Sequence, residues 1–381
     1  DTGSTDGTQE FIKNYFKEKG IPGELHEEEW VNFGHNRSSY FKHAQGKSDY
    51  LIVLDADEVV LVNNKNFKNN LSKENNIGYN IRYEGNLDYS YNLLLSGNIL
   101  WKSVGVTHEY NDSDEPYKYL EFKDIKISHI ANGANKENKF SRDIELLEQG
   151  IKDEPNNARY YFYLANSHYD IKEYDKALNY YLKRVEMKGW GEEVYYSIYK
   201  AGLCQLNMNK HFETIVLPLF LKAFNYRKSR LESLYEIVKY YRLNGMWKEG
   251  YAYGLLGYEV AYPKDVLFID KSIHVYKFLD ELTICATNSG HHDFAIKLYN
   301  KLLKLDSLTD KDRKRIEKNK KYSLDPIQLQ LKQKRFKQTL EEMKEVLDKN
   351  NISFFLFCGT ALGAYRENKF INHDPDIDLG V

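Results

Sequence analysis

The sequence has few cysteines, no long apolar run and no excess of charge of either sign. Its three cysteines, Cys204, Cys285 and Cys358, are scattered and odd in number. They match neither a disulfide framework nor a zinc site and favour a reducing compartment. No run of about 18 apolar residues occurs, which predicts no membrane-spanning helix. Lys and Arg number 54 against 56 Asp and Glu, so no charged surface for nucleic acid is indicated. We therefore expect a cytoplasmic protein that does not bind nucleic acid.

The length of 381 residues is enough for two or three domains, and the 42% of hydrophobic residues can fill packed cores. The chain begins at Asp1 inside one motif and stops at Val381 inside another. We therefore interpret it as a fragment that is truncated at both ends.

An apolar run that ends at carboxylates is the centre of the N-terminal third. Residues 50–54 are all apolar or aromatic, and Asp55-Ala56-Asp57-Glu58 follows directly. Such a run is typical of a strand buried on both faces of a parallel sheet. Ligands of α/β sheets bind at the carboxyl ends of strands, where Asp55 and Asp57 could hold a divalent ion. The alternative is a strand that ends in a solvated acidic turn.

The opening segment, Asp1-Thr2-Gly3-Ser4-Thr5-Asp6-Gly7-Thr8, predicts a glycine turn followed by a helix. Asp6 is the expected N-cap, with Gln9 completing a capping box, and Gly20 is the expected end of the helix. The helix N-terminus and a carboxylate could meet a nucleotide there. The alternation of helices and strands up to Asp57 indicates a doubly wound α/β sheet.

These motifs, with the pair Asn36-Arg37, resemble the family-2 glycosyltransferases of the A-type fold. The resemblance implies that Asp1 contacts the nucleotide base and that Asp6 is a second acidic position there. It also implies that Asp55 and Asp57 hold Mn²⁺ or Mg²⁺, which bridges the donor diphosphate, and that Arg37 belongs to the substrate site. The family's first strand would precede Asp1 and is missing, so we expect the 381-residue chain alone to be weakly active or inactive.

Residues 101–110 are similar to the Val/Ile-His-Glu segment of the same family branch. An inverting transferase needs a carboxylate that takes the proton of the acceptor hydroxyl, and Glu109 is the candidate. His108 either assists Glu109 or contacts the diphosphate; alternatively, both residues merely end a strand. His129 either reaches the metal or diphosphate or is a buried structural histidine.

The middle of the chain predicts paired helices. Residues 136–152 are amphipathic, and Pro155 breaks the pattern. Aromatic and small residues, including Ala165 and Ala177, then recur in the manner of a tetratricopeptide repeat. Weaker copies follow over residues 195–221, 234–257 and 279–302. We expect an all-α solenoid over residues 137–322, closing with a solvated helix and hinge, whose concave surface could bind a protein partner.

The C-terminal piece, residues 326–381, predicts a helix that starts at Pro326, a buried strand over residues 352–357, and an acidic end. Its Cys358-Gly359-Thr360 and Asp376-Ile377-Asp378 resemble LicD-type phosphocholine transferases and fukutin-related proteins, of the nucleotidyltransferase superfamily. The resemblance implies that Gly359 and Thr360 approach a phosphate and that Asp376 and Asp378 bind a metal. A third carboxylate is expected beyond Val381. Without the resemblance, residues 374–378 would be an acidic turn.

The leading interpretation is a metal-dependent glycosyltransferase, residues 1–133, followed by the helical repeats and the start of a LicD-like domain. It would move a sugar from a nucleotide-diphosphate donor to a glycan, protein or lipid acceptor, and the complete LicD-like domain would transfer a phospho-group to the same product. The alternative is a binding scaffold of helical repeats that carries an inactive transferase module.

Overall fold

A computed structural model describes residues 1–74, 76–84, 87–130 and 136–381. The chain forms two compact units. The first comprises Asp1–Ser233 and Val260–His274, and the second comprises Leu234–Glu259 and Val275–Val381. The predicted functional limits 1–133, 137–322 and 326–381 are drawn on motifs, do not coincide with these units, and stay a prediction.

The N-terminal part of the first unit is an α/β region. In chain order its elements are α1 (Thr8–Lys19), α2 (Phe33–Ala44), β1 (Tyr50–Ile52), β2 (Glu58–Val62), a 3-10 turn (Phe67–Asn70), β3 (Ile77–Tyr83), β4 (Leu87–Asp88), β5 (Ser90–Ser96), β6 (Lys102–Val104), β7 (Tyr110–Asp112) and β8 (Lys118–His129). Five strands form a mixed sheet in the order β1-β5-β3-β8-β2, in which only β3 and β8 run parallel. Its core includes Ile81, Leu95 and Ile127, each fully buried. The expected α/β class is confirmed.

The expectation that residues 50–54 form a strand buried within a parallel sheet is wrong. β1 is short, pairs antiparallel with β5, and has no second partner among the described strands. Its last residue, Ile52, is 44% exposed, whereas the next residue, Val53, is buried. An apolar run indicates the capacity for burial, but the number of neighbours that a strand finds decides how much is buried.

The start of α1 also differs from the prediction. Gly7, at a φ of 85°, is the N-cap residue, and no side chain caps the helix. Asp6 instead accepts hydrogen bonds from the backbone N–H and the hydroxyl of Thr8, at 3.1 and 2.6 Å. The Gln9 side chain donates to Asp1 at 2.9 Å, so no capping box forms. Gly20 ends the helix as predicted.

The remaining elements follow in chain order: α3 (Lys136–Asp153), α4 (Ala158–Asp170), α5 (Tyr174–Glu186), α6 (Gly191–Asn207), a π-turn (Phe212–Val216), α7 (Leu217–Tyr226), α8 (Glu232–Leu243), α9 (Trp247–Leu255), β9 (Ile269–Asp270), a second π-turn (Ile273–Lys277), α10 (Phe278–Asn288), α11 (His292–Leu303), α12 (Asp310–Lys349), β10 (Phe355–Leu356), α13 (Cys358–Glu367) and β11 (Leu379–Gly380). No described helix is long and apolar enough to cross a membrane.

The helical pairs of the middle region are confirmed. Ala165 of α4 and Ala177 of α5 are fully buried where these helices pack. Gly202 of α6 lies against Phe220 of α7, and a Cβ at residue 202 would be only 2.6 Å from that ring. Small residues at these positions let neighbouring helices approach closely, as the repeat pattern predicts.

Two predictions for the C-terminal part are wrong. Pro326 lies inside α12, a continuous 40-residue helix, and neither starts a helix nor follows a hinge. The predicted buried strand is reduced to β10, which pairs antiparallel with β11, and its Phe355 is 58% exposed. A proline removes one backbone donor, which a long helix with other contacts can tolerate.

The cysteines are free thiols, as the sequence suggests. Cys204 and Cys285 are buried, and burial raises the pKa of each thiol to about 12. Cys358 is exposed. Thiolate chemistry in the folded protein is therefore concentrated at Cys358.

Candidate functional site

The turn between β1 and β2 presents the first acidic motif to solvent. Asp55 and Asp57 are both exposed. The backbone N–H of Ile130 donates to the carbonyl of Asp57 at 2.8 Å, which fixes the turn against the end of β8. Glu58 accepts from the Asp55 backbone N–H at 3.0 Å and from the Tyr83 hydroxyl at 2.7 Å. Burial, helped by Glu58, raises the pKa of Tyr83, so this hydroxyl stays a donor.

The Arg37 side chain contacts two candidate site carboxylates, Asp55 and Glu109. The Asn32 side chain caps α2 by accepting from the His35 N–H, and Arg37 projects from the second turn of that helix. One guanidinium nitrogen of Arg37 is 2.5 Å from Asp55 Oδ1, and Nε is 2.7 Å from Glu109 Oε1. Burial opposes the charge of Arg37, but Glu109 and Asp55 outweigh it and raise the Arg37 pKa. Asp55 and Glu109 therefore lie on either side of one cation.

Helix α4 holds the His108-Glu109 segment in place. His108 adopts a left-handed backbone conformation, with a φ of 49°. Its carbonyl accepts from Arg159 Nε at 3.3 Å and from a second Arg159 nitrogen at 3.2 Å. Its imidazole stacks on Tyr163 at 4.1 Å, and Nε2 is 3.7 Å from Asp143 Oδ2. These contacts hold an uncommon backbone conformation that a non-glycine residue rarely adopts alone.

No local motif identifies Arg159, Tyr163 or Asp143 as neighbours of His108. All three belong to α3 or α4, which the repeat pattern describes only as packing helices. Their contacts depend on how these helices meet the sheet, and no local motif encodes that. An arginine and a tyrosine four residues apart on one helix face is the only signal that could have drawn attention to them.

His129 lies at the end of β8 and is not a buried structural histidine. Its side chain is 48% exposed, stacks on Tyr83 at 5.1 Å, and has Nδ1 3.8 Å from Glu58 Oε1. It borders a cavity of about 240 Å³ that Arg37, Asp55 and Glu109 also line. We call this the donor cavity.

The opening motif is placed apart from the donor cavity. One oxygen of the Asp1 carboxylate accepts from the N–H groups of Gly3 and Ser4, at 2.9 and 2.8 Å, and the other accepts from the Ser4 hydroxyl at 2.5 Å. Asp1 lines a neighbouring cavity of about 260 Å³, and Arg37 lines both cavities. Asp6 is in neither set of lining residues, and hydrogen bonds from Thr8 lower its pKa.

The C-terminal piece gathers three carboxylates. Oxygens of Asp374, Asp376 and Asp378 lie within 4.8 Å of one another, the one such group of three or more within the described ranges. Gly359 makes this possible, because a Cβ there would be 1.8 Å from Asp374 Oδ2. The Thr360 hydroxyl accepts from the Asp378 N–H at 2.9 Å, which ties α13 to the acidic segment.

Oxygen-only donors at this spacing suit Mg²⁺ or Mn²⁺. Asp376 and Asp378 were predicted as metal ligands, and the structure brings them beside Gly359 and Thr360 as expected. Asp374 was not predicted as a metal ligand, because the resemblance to LicD-type proteins implies a third carboxylate beyond Val381. Its position two residues before Asp376 was the available signal, since alternate residues of an extended segment share a face.

Family models match the two ends of the chain. Residues 1–78 match the model of glycosyl transferase family 2, and residues 351–381 match that of the LicD/FKTN/FKRP nucleotidyltransferase domain. No curated protein matches the chain.

Similar solved structures cover about half of the chain. MamA is 15% identical over 46% of this chain and 92% of its own, with a TM-score of 0.35. MamA from Desulfovibrio magneticus RS-1 is 12% identical over 46% and 90%, with a TM-score of 0.35. YrrB, described as a TPR protein with an unusual peptide-binding site, is 12% identical over 50% and 84%, with a TM-score of 0.32.

The family matches divide the candidate residues. Asp1, Asp6, Arg37, Asp55 and Asp57 lie within the first match, and Gly359 and the three C-terminal aspartates lie within the second. Glu109, His108 and His129 lie outside both. At family level, the chain is therefore similar to a glycosyltransferase at its N-terminal end and to a LicD-type nucleotidyltransferase at its C-terminal end.

Proposed function

We propose that the protein is a metal-dependent glycosyltransferase that moves a sugar from a nucleotide-diphosphate donor to an acceptor hydroxyl. The observation that carries this proposal is the position of Arg37 between Asp55 and Glu109. It puts the candidate metal ligand and the candidate base on opposite sides of one side chain. A transferase needs that proximity, because the leaving diphosphate and the attacking hydroxyl meet at the same carbon of the sugar.

In this proposal Asp55 and Asp57 hold Mn²⁺ or Mg²⁺ together with the donor diphosphate. The donor set fits, since both side chains are exposed carboxylates on a turn whose backbone is anchored to Ile130. When bound, the ion would offset negative charge that builds up on the leaving diphosphate. Arg37 and His129 line the same cavity and would donate hydrogen bonds to phosphate oxygens. Asp1 and Asp6 would bind the nucleoside end.

Glu109 would act as the base, with inversion at the anomeric carbon. Its Oε1 lies 2.7 Å from Arg37 Nε, so the carboxylate is held by that guanidinium. A diphosphate competes for the same guanidinium. Donor binding would therefore draw Arg37 away from Glu109 and release the base only when the sugar is in place. His108, next to Glu109 and close to Asp143, would assist in orienting the acceptor.

A second transfer reaction at the C-terminal end is supported by the three clustered aspartates. Asp374, Asp376 and Asp378 would hold a divalent ion, and Gly359 and Thr360 would approach the phosphate of a cytidine-diphosphate alcohol or a nucleotide. The product would carry first a sugar and then a phospho-group. The helical repeats could in addition hold a protein partner, and we retain the cytoplasm as the predicted location.

The test is metal-dependent release of nucleoside diphosphate from a panel of nucleotide sugars, with Mn²⁺ or with EDTA. We expect slow release from one donor, in keeping with the weak activity expected of this chain alone, and its loss in an Asp55→Asn/Asp57→Asn variant. Asp49→Asn is the matched control, because Asp49 is a nearby exposed aspartate outside the donor cavity. Release that survives in the double variant would contradict the proposal. Loss of all transfer on Asp376→Asn alone would point to the C-terminal reaction, and unchanged biological function in every variant would favour the scaffold.

A further inference from the structure

A large cavity of the first unit is lined by Glu109 and not by Asp55. It has a volume of about 1110 Å³. One wall is the sheet region, including Asn92 and Tyr110, and the other is formed by α4, the start of α6 and residues 266–268. We call it the repeat groove. Small-molecule sites usually occupy about 300–1,000 Å³, so the groove has room for a ligand larger than one sugar ring.

The repeat groove and the donor cavity share part of their lining. His108, Glu109, Asp143, Tyr89 and Tyr91 line both. The Tyr91 hydroxyl donates to the Glu109 carbonyl, so the boundary between the two spaces is held by a hydrogen bond from the sheet. A ligand in the groove could therefore present a group to Glu109.

Aromatic rings are the main apolar surface of the groove. Tyr110, Tyr119 and Trp190 line it and are 39%, 42% and 43% exposed. Rings of this kind offer an apolar face, and tyrosine and tryptophan also offer a polar edge. The C–H faces of sugar rings pack on such surfaces, while the hydroxyl groups around the ring find polar partners.

Two arginines of the groove share one carboxylate. One Arg159 nitrogen is 3.1 Å from Glu193 Oε1, and one Arg184 nitrogen is 3.0 Å from Glu193 Oε2. The Arg159 guanidinium also lies 4.9 Å from the centre of the Tyr163 ring. These contacts fix both guanidinium groups in the wall of the groove.

Asn92 supports one of these rings from the sheet. It lines the groove, is only 8% exposed, and its side chain forms a hydrogen bond with Tyr119. This contact helps to keep the Tyr119 ring in the wall of the groove.

From these observations we propose that the repeat groove binds a carbohydrate acceptor of more than one sugar ring and directs one of its hydroxyls toward Glu109. The inference rests on the proposed function, since it names the acceptor class of that same site. It gives the first helical pairs a direct part in substrate binding: α4 and the start of α6 form a wall of the active-site groove.

The experiment measures carbohydrate binding and nucleotide binding separately on the whole chain. A printed glycan array identifies oligosaccharides that bind, and saturation-transfer NMR with the best of them gives an affinity. Binding of UDP and GDP, each with Mn²⁺, is measured in parallel and tests the proposed function alone. We expect Tyr110→Ala and Trp190→Ala each to weaken oligosaccharide binding by roughly tenfold or more, which is the usual effect of losing one well-placed contact.

Tyr322→Ala is the control, because Tyr322 is an aromatic residue 59% exposed and outside the groove. Thermal unfolding shows whether each variant is folded. Tyr110 and Trp190 are 39% and 43% exposed, so each replacement should keep the fold. Nucleotide binding without any glycan binding would overturn the groove proposal and spare the proposed function. Preferential binding of a peptide library, or glycan binding that neither variant weakens, would overturn it as well.

Discussion

The strongest stability prediction concerns a buried charge network that supports one wall of the repeat groove. Arg230 is fully buried and donates from Nε to both oxygens of Glu232, each at 3.0 Å. Its other nitrogens donate to the carbonyls of Leu267 and Phe268, both at 3.0 Å. Glu232 also accepts from the Tyr195 hydroxyl at 3.0 Å. The network therefore fixes residues 267–268 through one arginine whose main counter-charge is Glu232.

Replacing Glu232 by glutamine removes the charge and keeps the shape. Arg230 would then keep only Asp265, 3.4 Å away, and this carboxylate is already paired with Arg227 and cannot compensate both arginines. Breaking one partner from a buried ion pair costs about 3–5 kcal/mol, because it leaves an uncompensated charge in the interior. We expect the free energy of unfolding, measured by urea titration with circular dichroism, to fall by that amount for the transition of the first unit.

The matched control is Glu186→Gln. Glu186 is 3.3 Å from Lys183, and both side chains are more than half exposed. An exposed pair contributes at most about 1 kcal/mol. Equal effects of the two substitutions would refute the reasoning, since burial is the only thing that should distinguish them.

Acid provides a second test of the same network. Burial alone would raise the pKa of Glu232, but hydrogen bonding with His274 and the charge of Arg230 outweigh it and lower the pKa to about 2. A carboxyl with a lowered folded-state pKa stabilises above its unfolded value of about 4.3 and loses that contribution as the pH falls toward 2. The wild type should therefore lose stability over this window, by about 3 kcal/mol from Glu232, and Glu232→Gln should lose correspondingly less. Parallel pH curves for the two proteins would contradict the assignment.

Three further predictions follow from close contacts. Gly202→Ala should lower the free energy of unfolding by about 1–2 kcal/mol, because the new methyl group would meet the Phe220 ring at 2.6 Å and this clash outweighs the gain in helix propensity of about 1 kcal/mol. Adding Phe220→Leu should restore part of the loss in a urea titration. A loss that is unchanged in the double variant would exclude the clash as its cause. Gly359→Ala should displace Asp374 and weaken Mn²⁺ binding at the C-terminal aspartates by roughly tenfold or more, measured by isothermal titration, whereas undiminished binding would mean that Asp374 is not a ligand. Ellman's reagent should modify one thiol rapidly in the native chain, Cys358, and reach the two buried cysteines only on unfolding; three fast thiols would contradict the burial.

The sequence was sufficient where the determining contacts are close along the chain. The acidic turn at Asp55 and Asp57, the helix end at Gly20 and the small residues of the repeats are all set by local backbone geometry or by a short repeat. They were found where the motifs put them. Gly359 and Thr360, which lie beside Asp374 and Asp378, were singled out by the resemblance to LicD-type proteins and not by local geometry.

Local sequence patterns did not predict the structure where a contact with a residue distant along the chain determines it. Residues 50–54 carry the composition of a central strand, yet β1 pairs only with β5 in the described sheet. Gln9 could complete a capping box with Asp6, but it donates to Asp1, a competing acceptor that the local pattern ignores. The surroundings of His108 come from α3 and α4. In each case several local arrangements were possible, and tertiary contacts chose among them.

The short pairing of β4 with β9 has a consequence for how the protein is made. Leu87 pairs with Asp270 and Asp88 with Ile269, so a segment synthesised after the first helical pairs returns to the sheet region. The first unit is complete only when residue 274 has been added, although its sheet ends at His129. Closing so long a loop is slow and comes late in folding. A ribosome that stops between these two points would release a chain whose sheet is formed but whose groove lacks a wall. A gene fusion that joins residues 1–129 to other repeats would have to carry residues 260–274 with them.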